Sequence, residues 1–190
     1  MKKNFLALVI FGILLIAQAQ AGELQVGFSQ ISITPNLIDQ WVDVNHDAQF
    51  DSDIDLWTDV NGNGKFDAVW MAGFQNQRPA QGVKDNIMAV AVVIDDGKNR
   101  VGIVATDTIG LMRKFVLSVR EAVPTEWGLD YLMVHATHNH EGPDTQGLWG
   151  PSFFSSGVDN DYMERLQQNI LEAVSAAIDN LEPATMSMAR

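Results

Sequence analysis

Two apolar segments separated by a turn constrain the fold more than any other feature of the sequence. Ile87 to Asp95 (IMAVAVVID) is nearly continuously apolar, and Asp96-Gly97 follows it as a turn signal. Arg100 to Thr106 (RVGIVAT) then supplies a second apolar segment of strand length. The pattern predicts a β-hairpin, so a β-sheet must form part of the core.

Strand and helix patterns alternate along the rest of the chain. Leu24 to Thr34 and Tyr131 to Ala136 have strand-like patterns, and Ala184 to Ala189 resembles a last strand. Two segments have the apolar spacing of amphipathic helices, Arg113–Val123 and Tyr162–Leu181. Strands that alternate with helices predict the α/β class, here with a mixed β-sheet core flanked by helices and one Asp/Asn-rich insertion.

The N-terminus has the features of an export signal. Two lysines precede an apolar run, residues 5–16, and Ala19-Gln20-Ala21 supplies the small residues of a cleavage site. An apolar run this short falls below the ~20 residues that span a bilayer. We therefore predict that residues 1–21 are a signal peptide and that residues 22–190 are secreted or periplasmic, with an uncleaved membrane anchor as the alternative. Because no turn or tail follows the last predicted strand, we expect an N-terminal part of a longer protein.

The composition limits the partners and the metal ligands. The net charge of −12 moves to about −14 without residues 1–21, which carry two lysines and no acidic side chain. A chain this acidic repels phosphate groups, which argues against nucleic acid as a partner. It contains no cysteine, so disulfides and thiolate chemistry are excluded. Any transition metal must be held by His, Asp, Glu or Tyr side chains.

An acidic repeat lies within an insertion, residues 39–70. WVDVNHDAQFD and WTDVNGNGKFD match at an offset of 16 residues. Each copy has oxygen-bearing side chains at loop positions 1, 3, 5 and 9, as calcium loops do: Asp43, Asn45, Asp47 and Asp51 in the first copy, and Asp59, Asn61, Asn63 and Asp67 in the second. Ala48 stands where the second copy has the expected Gly64, and neither copy has the glutamate at position 12. We predict one or two calcium sites, to which Asp53 and Asp55 could add ligands; a solvated Asx-turn loop is the alternative.

Three of the four histidines lie within the stretch VHATHNHEGPD. If the strand Tyr131–Ala136 continues in extended form, His138 and His140 point to the same face and His135 to the other. Two such imidazoles can share a divalent metal, or one can bind the metal while the other polarises a substrate. Ordinary histidines at a strand end are the alternative. Asp107, which ends the second hairpin strand, could orient a metal-binding imidazole or cap the helix that follows.

Five segments in this order resemble the N-terminal domain of the neutral/alkaline, non-lysosomal ceramidases. They are QISITP, MAGFQNQRPAQGV, IMAVAVVID, VGIVATDTIG and ATHNHEGPD. Any one of these motifs is weak, but the match covers nearly everything from Gly27 to Gly150. By this resemblance His138 corresponds to the first zinc ligand of the family, and His140 to a neighbouring histidine that binds or polarises the substrate amide. The family's other ligands, a histidine, a glutamate and a tyrosine, lie farther along its chain, and nothing matches them before Arg190.

The chain also departs from the family pattern. Asn139 and Glu141 replace a threonine and a serine, which makes the edge of the pocket more acidic. The arginine usual at the start of the second strand is absent, with Asn86 and Ile87 in that region. The acidic insertion has no counterpart in the best-known ceramidases. These departures leave a metal site in place and weaken the inference of a ceramide substrate.

The resemblance implies a secreted zinc-dependent amidohydrolase that cleaves N-acylsphingosine to a fatty acid and sphingosine. The partner would be a lipid amide, and Trp149 and Phe153 in the loop LWGPSFFSSG could line its entrance and make peripheral contact with a membrane; a loop that simply packs on the core is the alternative. Two other functions stay open. One is a related metal hydrolase acting on another amide or ester, and the other is a calcium-stabilised secreted binding module without catalysis.

Overall fold

A computed structural model describes residues 23–188. Its main sheet has five strands, in the spatial order β6-β5-β4-β1-β7, and a separate pair, β2 and β3, lies in the acidic insertion. The strands are β1 Gln25–Ser32, β2 Gln40–Val42, β3 Leu56–Thr58, β4 Met88–Asp95, β5 Arg100–Thr106, β6 Tyr131–Ala136 and β7 Glu182–Pro183. The helices are α1 Arg113–Glu121, a single-turn 3-10 helix Thr125–Trp127, and α2 Asn160–Asp179.

The predicted α/β class is confirmed. The hairpin pairs β4 with β5 in antiparallel register, β1 joins the other side of β4 antiparallel, and β6 runs parallel to β5. The sheet is therefore mixed, as expected. The crossover from β5 to β6 passes through α1, which is the connection that a parallel pair requires.

The core lies between one face of the sheet and α2. The inward side chains of α2 follow the predicted helical spacing, and Leu166, Ile170 and Val174 are fully buried. The helix begins behind Asp159, whose carboxylate accepts backbone N–H bonds from Asp161 and Tyr162. Gly27 of β1 lets the helix approach closely, because a Cβ at this position would overlap the carbonyl group of Ala177.

The predicted strand over residues 184–189 is wrong for the residues that the structure describes. Pairing with β1 falls on Glu182 and Pro183 and involves two residue pairs, and residues 184–188 form no strand. The pairing stops there because β1 begins at Gln25, so only Gln25 and Val26 pair with β7. One further backbone bond, from Ala184 N to Leu24 O at 2.8 Å, follows.

The predicted signal peptide, residues 1–21, lies outside the described residues. No helix between residues 23 and 188 combines the length and the apolar character needed to cross a bilayer.

The acidic insertion has more structure than its lack of apolar periodicity indicated. Its two three-residue strands, β2 and β3, pair Trp41 with Trp57. Aromatic rings then pack around this pair, with Phe50 stacked on Phe66 at 3.8 Å between ring centroids and Trp70 edge-on to Phe66 at 6.2 Å. The aromatic positions of the repeat therefore form a small core of their own.

Candidate functional site

The two histidines meet just beyond the carboxyl end of β6. Nε2 of His138 lies 3.2 Å from Nε2 of His140, and the ring planes are inclined at 74°. The predicted convergence of the two rings is observed, but its expected cause is wrong. The strand ends at Ala136 and His138 has a φ of 66°, so the chain turns in the left-handed region instead of continuing in extended form.

A hydrogen bond fixes the tautomer of His138. Its Nδ1 lies 2.8 Å from the carbonyl oxygen of Ile109, which can only accept, so Nδ1 carries the proton and donates it. The lone pair of the neutral ring is then on Nε2, the atom that faces His140. A backbone carbonyl on the far nitrogen is the usual way in which a protein orients a metal-binding imidazole.

The connection between β5 and α1 supports the histidine loop from below. Backbone N–H groups of Thr137 and Asn139 donate to the carbonyl oxygens of Thr106 and Thr108 at 2.9 and 3.1 Å. These bonds extend the pairing of β6 with β5 past the end of the strand. The site is therefore built on the carboxyl ends of two parallel strands, where α/β sheets bind their ligands.

Asp107 has neither of its two predicted roles. Its Oδ2 accepts the backbone N–H of Met88 at 3.0 Å, and its Oδ1 accepts the hydroxyl of Thr137 at 3.2 Å. The group that orients His138 is the carbonyl of Ile109, and α1 begins after Met112 with no side-chain cap. The Asp107 carboxylate instead joins the start of β4 to the start of the histidine loop.

Asp144 organises the loop that follows the histidines, a role that the sequence did not reveal. It is 1% exposed, and its carboxylate accepts backbone N–H bonds from four residues, Gln146, Gly147, Trp149 and Gly157. A buried carboxylate paired in this way replaces the backbone partners that a loop otherwise lacks. The signal that could have found it is an Asp directly after Gly-Pro, which is typical of an Asx-turn.

The ring that packs against His140 is Phe74, which was not among the predicted site residues. The two ring centroids are 5.3 Å apart and nearly perpendicular. Phe153 is 81% exposed, while Trp149 is half-buried and donates its backbone N–H to Asp144. A substrate-binding role for Trp149 and Phe153 stays a prediction.

The residues present supply one ligand of a zinc site. His138 presents an unprotonated Nε2, as a zinc ligand must, and Nε2 of His140 lies 3.2 Å from it. Among residues 23–188, no third His, Asp or Glu side chain joins the pair to make a complete metal site. A neighbouring cleft of about 540 Å³ is lined by Asn139, Glu141 and the loop 82–87, and the two histidine rings are not part of its wall.

Both acidic loops curl around their first aspartate. Asp43 accepts the backbone N–H bonds of Asp47 and Ala48, and Asp59 accepts those of Gly62, Asn63 and Gly64. Ala48 has a φ of 60° and Gly64 a φ of 75°, so the two copies follow the same path although the first lacks the glycine.

Two further aspartates of the repeat hold the loops in place. Asp39 and Asp55 occupy equivalent positions in the two copies and are 5% and 4% exposed. Asp55 accepts backbone N–H bonds from Val44 and Asp51 in the first loop, and Asp39 accepts those of Val60 and Asp67 in the second. Each copy therefore supports the loop of the other. Within residues 23–188 neither loop brings three carboxylates together as a finished metal site, and the calcium sites stay a prediction.

Comparison with known proteins agrees with this architecture. No protein-family model matches the chain, and no curated protein matches it. Two solved structures match it at a TM-score of 0.58 over 85% of this chain: a ceramidase complexed with C2, at 20% identity, and the neutral ceramidase from Pseudomonas aeruginosa, at 17% identity. The chain has a ceramidase-type fold. The predicted resemblance is thus confirmed for the fold, and the chain spans 22% of the length of these two ceramidases.

Proposed function

We propose that this chain is the N-terminal part of a zinc-dependent amidohydrolase that is secreted or periplasmic. The simplest substrate is N-acylsphingosine, hydrolysed to a fatty acid and sphingosine. The observation that carries the proposal is the 3.2 Å approach of the two Nε2 atoms, with the proton of His138 held on the opposite nitrogen by Ile109. The ceramidase-type fold supports the choice of a lipid amide.

The two histidines would have different roles in the reaction. Zinc held by His138, together with ligands outside residues 23–188, would supply a Lewis acid and a bound water whose pKa falls to ~7. His138 presents the bare Nε2 because Ile109 keeps the proton on Nδ1. His140 donates a hydrogen bond from Nε2–H to the acyl oxygen as negative charge develops there. The acyl carbon gains the hydroxyl group of water, the C–N bond breaks, and the leaving amine gains the proton.

The experiment is an amide-hydrolysis assay on the full gene product. Release of fatty acid from N-acylsphingosine should require zinc, stop on chelation and fall about 100-fold or more in His138→Ala. His135→Ala is the matched control, since this exposed histidine is near the others in sequence, and within residues 23–188 its ring hydrogen-bonds only to the carbonyl oxygen of Ala136. Equal loss of activity in both variants, or activity that survives chelation, would refute the proposed mechanism.

Glu141 favours a test of other substrates in the same assay. It is exposed beside His140, where the ceramidase family has a serine, and a carboxylate there would repel an acidic substrate and favour a basic one. A panel of N-acyl amino acids, N-acyl amines and esters separates the substrate classes. Preference for one of these over N-acylsphingosine would keep the hydrolase and change its substrate.

A calcium-stabilised binding module is the second candidate function. It is favoured by the two loops of matching path, each with a carboxylate at its first position and a buried aspartate behind it. Calcium should then raise the thermal midpoint of the protein, and Asp59→Asn should remove about half of that gain. Calcium binding without zinc binding would favour this module over the hydrolase.

Export makes a separate prediction. If residues 1–21 are a signal peptide, N-terminal sequencing of protein recovered outside the cytoplasm should begin at Gly22. Protein that begins at Met1 and sediments with the membrane would instead indicate an anchor.

A further inference from the structure

The segment before β4 folds back on itself and reaches the histidine loop. Within this segment, residues 69–80, the backbone bonds Met71 N to Arg78 O and Ala80 N to Val69 O are both 2.8 Å long. Ala72 N then donates to Gly142 O at 2.9 Å, which joins the fold-back to the loop that carries His140. The two loops therefore lie side by side around the imidazole.

Arg78 is the side chain that ties these two loops together. Its Nη2 donates to the carbonyl oxygens of Ala72 and His140, both at 2.8 Å. Its Nη1 lies 3.5 Å from the carboxylate of Glu141, and its Cζ lies 4.9 Å from the ring centroid of Phe74. One guanidinium group thus contacts both loops. It reaches Ala72 and Phe74 in the fold-back, and His140 and Glu141 in the histidine loop.

The ring of His140 has little freedom inside this enclosure. Gly73 has a φ of 114°, and a Cβ there would lie 2.6–2.8 Å from atoms of the His140 side chain. Phe74 closes another side of the ring. The position of the imidazole is therefore set by how the backbone around Gly73 and that of His140 are held relative to each other.

Stability alone is a poor explanation for Arg78. Its side chain is 14% exposed, and its buried Nε–H finds no partner among residues 23–188. A buried donor without a partner destabilises the folded state. A residue that carries this cost while bonding two loop carbonyls at a candidate site is typical of a positional role.

We propose that Arg78 is a positioning residue that holds the His140 imidazole against His138. It acts through the carbonyls of Ala72 and His140 and through the ring of Phe74, and touches neither substrate nor metal. The role of Arg78 in catalysis rests on the proposed function, whereas its contacts with the two loops rest on the geometry alone. Lysine cannot replace Arg78, because a single ammonium group lacks the planar fork that spans two carbonyls and a carboxylate.

The test compares Arg78→Lys with Arg120→Lys in the full gene product. Arg120 makes the same kinds of contact far from the histidines: its Nε donates to Leu132 O at 2.7 Å and its Cζ lies 4.6 Å from the ring of Tyr131. The first readout is the nuclear Overhauser effect between the ring protons of His138 and His140 in metal-free protein. The second is the affinity for cobalt(II), followed by its visible absorption.

We expect Arg78→Lys to lose the ring-to-ring signal and to bind cobalt about 10-fold more weakly, and Arg120→Lys to change neither. An intact signal in Arg78→Lys, with cobalt affinity within about twofold of the wild type, would overturn the proposal. If Arg78→Lys fails to fold, Arg78→Gln takes its place, since Gln keeps a polar amide but lacks the guanidinium fork that bonds the carbonyls of Ala72 and His140. An unchanged ring-to-ring signal in that variant would equally overturn the proposal.

The two readouts separate this inference from the proposed function. If the wild type binds no cobalt and the Arg78→Lys variant loses the ring-to-ring signal, the positioning role is supported and the metal site is contradicted. If the wild type binds cobalt and Arg78→Lys changes neither the ring-to-ring signal nor the cobalt affinity, the metal site is supported and the positioning role is contradicted.

Discussion

His138 and Gly73 hold the histidine pair together through backbone conformations that few residues adopt. His138 lies in the left-handed region, which costs a residue other than glycine about 1–3 kcal/mol. Gly73 has a φ of 114°, a value that residues with a Cβ rarely adopt, and the missing Cβ leaves room for the imidazole of His140. The site therefore depends on strain in one residue and on an absent side chain in another.

Gly73→Ala should lower the free energy of unfolding by about 3 kcal/mol, because both the backbone angle and the contact with His140 oppose a Cβ. Gly64→Ala is the matched control. It also has a positive φ, but nothing lies within 4 Å of a Cβ there, and Ala48 already occupies the equivalent position in the other repeat. The free energy of unfolding of Gly64→Ala should fall by only about 1 kcal/mol. Equal losses in urea denaturation would show that the contact with His140 is not present in solution.

Tyr162 is a buried side chain whose hydroxyl has no partner. The residue is 3% exposed, burial raises the pKa of its phenol, and the oxygen makes no hydrogen bond within residues 23–188. Tyr162→Phe should therefore raise the free energy of unfolding by about 1 kcal/mol. Tyr131→Phe, which removes a hydroxyl bonded to Arg120 at 2.7 Å, should not stabilise the protein. A loss of stability in Tyr162→Phe would mean that the hydroxyl has a partner in the full protein.

At the scale of elements, sequence patterns located most of the main sheet. The hairpin and β6 were predicted with their residue bounds nearly correct, since a continuous apolar run bounded by turn residues has few other solutions. Both helices were placed to within two residues at each end. β7 was misplaced because a two-residue pairing leaves no periodicity.

Tertiary contacts decided what the sequence could not show. The pairing of the two short insertion strands depends on aromatic rings that are distant from each other in the chain. Asp55 resembles a further calcium ligand in the sequence, and only the folded chain shows that Asp39 and Asp55 each support the opposite loop. The convergence of the two histidines was predicted, whereas its cause, a left-handed residue bonded to Ile109, was not.

The turn of the hairpin gives the fold a dependence on pH. The backbone N–H of Gly97 and the guanidinium of Arg100 hold the pKa of Asp95 below its ordinary value, with bonds of 2.7 and 2.8 Å. Because the folded pKa is the lower one, this carboxylate stabilises the protein above its unfolded pKa, and the contribution is lost as pH falls through the folded pKa.

Asp95→Asn should therefore lower the free energy of unfolding by about 1–2 kcal/mol near neutral pH. Denaturant titrations of the variant and the wild type should converge as pH falls below the ordinary pKa of aspartate, about 4. If the variant and the wild type differ in free energy of unfolding by the same amount near neutral pH and below the ordinary pKa of aspartate, the effect of the substitution is not electrostatic.

At the scale of the whole molecule, one face of the main sheet is apolar, and no helix between residues 23 and 188 packs on it. In residues 23–188 the helix α2 packs on the other face, against β1 and β4. Two rows of apolar side chains cross the open face from β1 to β6: Val26, Ile94, Val101 and Tyr131 form one, and Phe28, Val92, Ile103 and Met133 form the other. Phe28 and Tyr131 are each more than half exposed. Monomeric proteins seldom leave so continuous an apolar surface in water.

This face should bind the dye anilinonaphthalene sulfonate when residues 22–190 are produced alone. Val92→Thr combined with Ile103→Thr should weaken the dye fluorescence and leave the far-ultraviolet circular dichroism unchanged, because both side chains point away from the core. Val104→Thr is the control on the buried face and should reduce stability instead. Unaltered fluorescence in the double variant would show that the dye binds elsewhere.

The zinc that we propose at His138 can be tested directly. Its most direct test is elemental analysis of the full gene product together with the variants His138→Ala and His135→Ala. We expect about one zinc per chain in the wild type and in His135→Ala, and none in His138→Ala. A wild-type protein without zinc, or a His138→Ala variant that retains it, would contradict the proposed zinc site and leave the pair as two hydrogen-bonded histidines at a strand end.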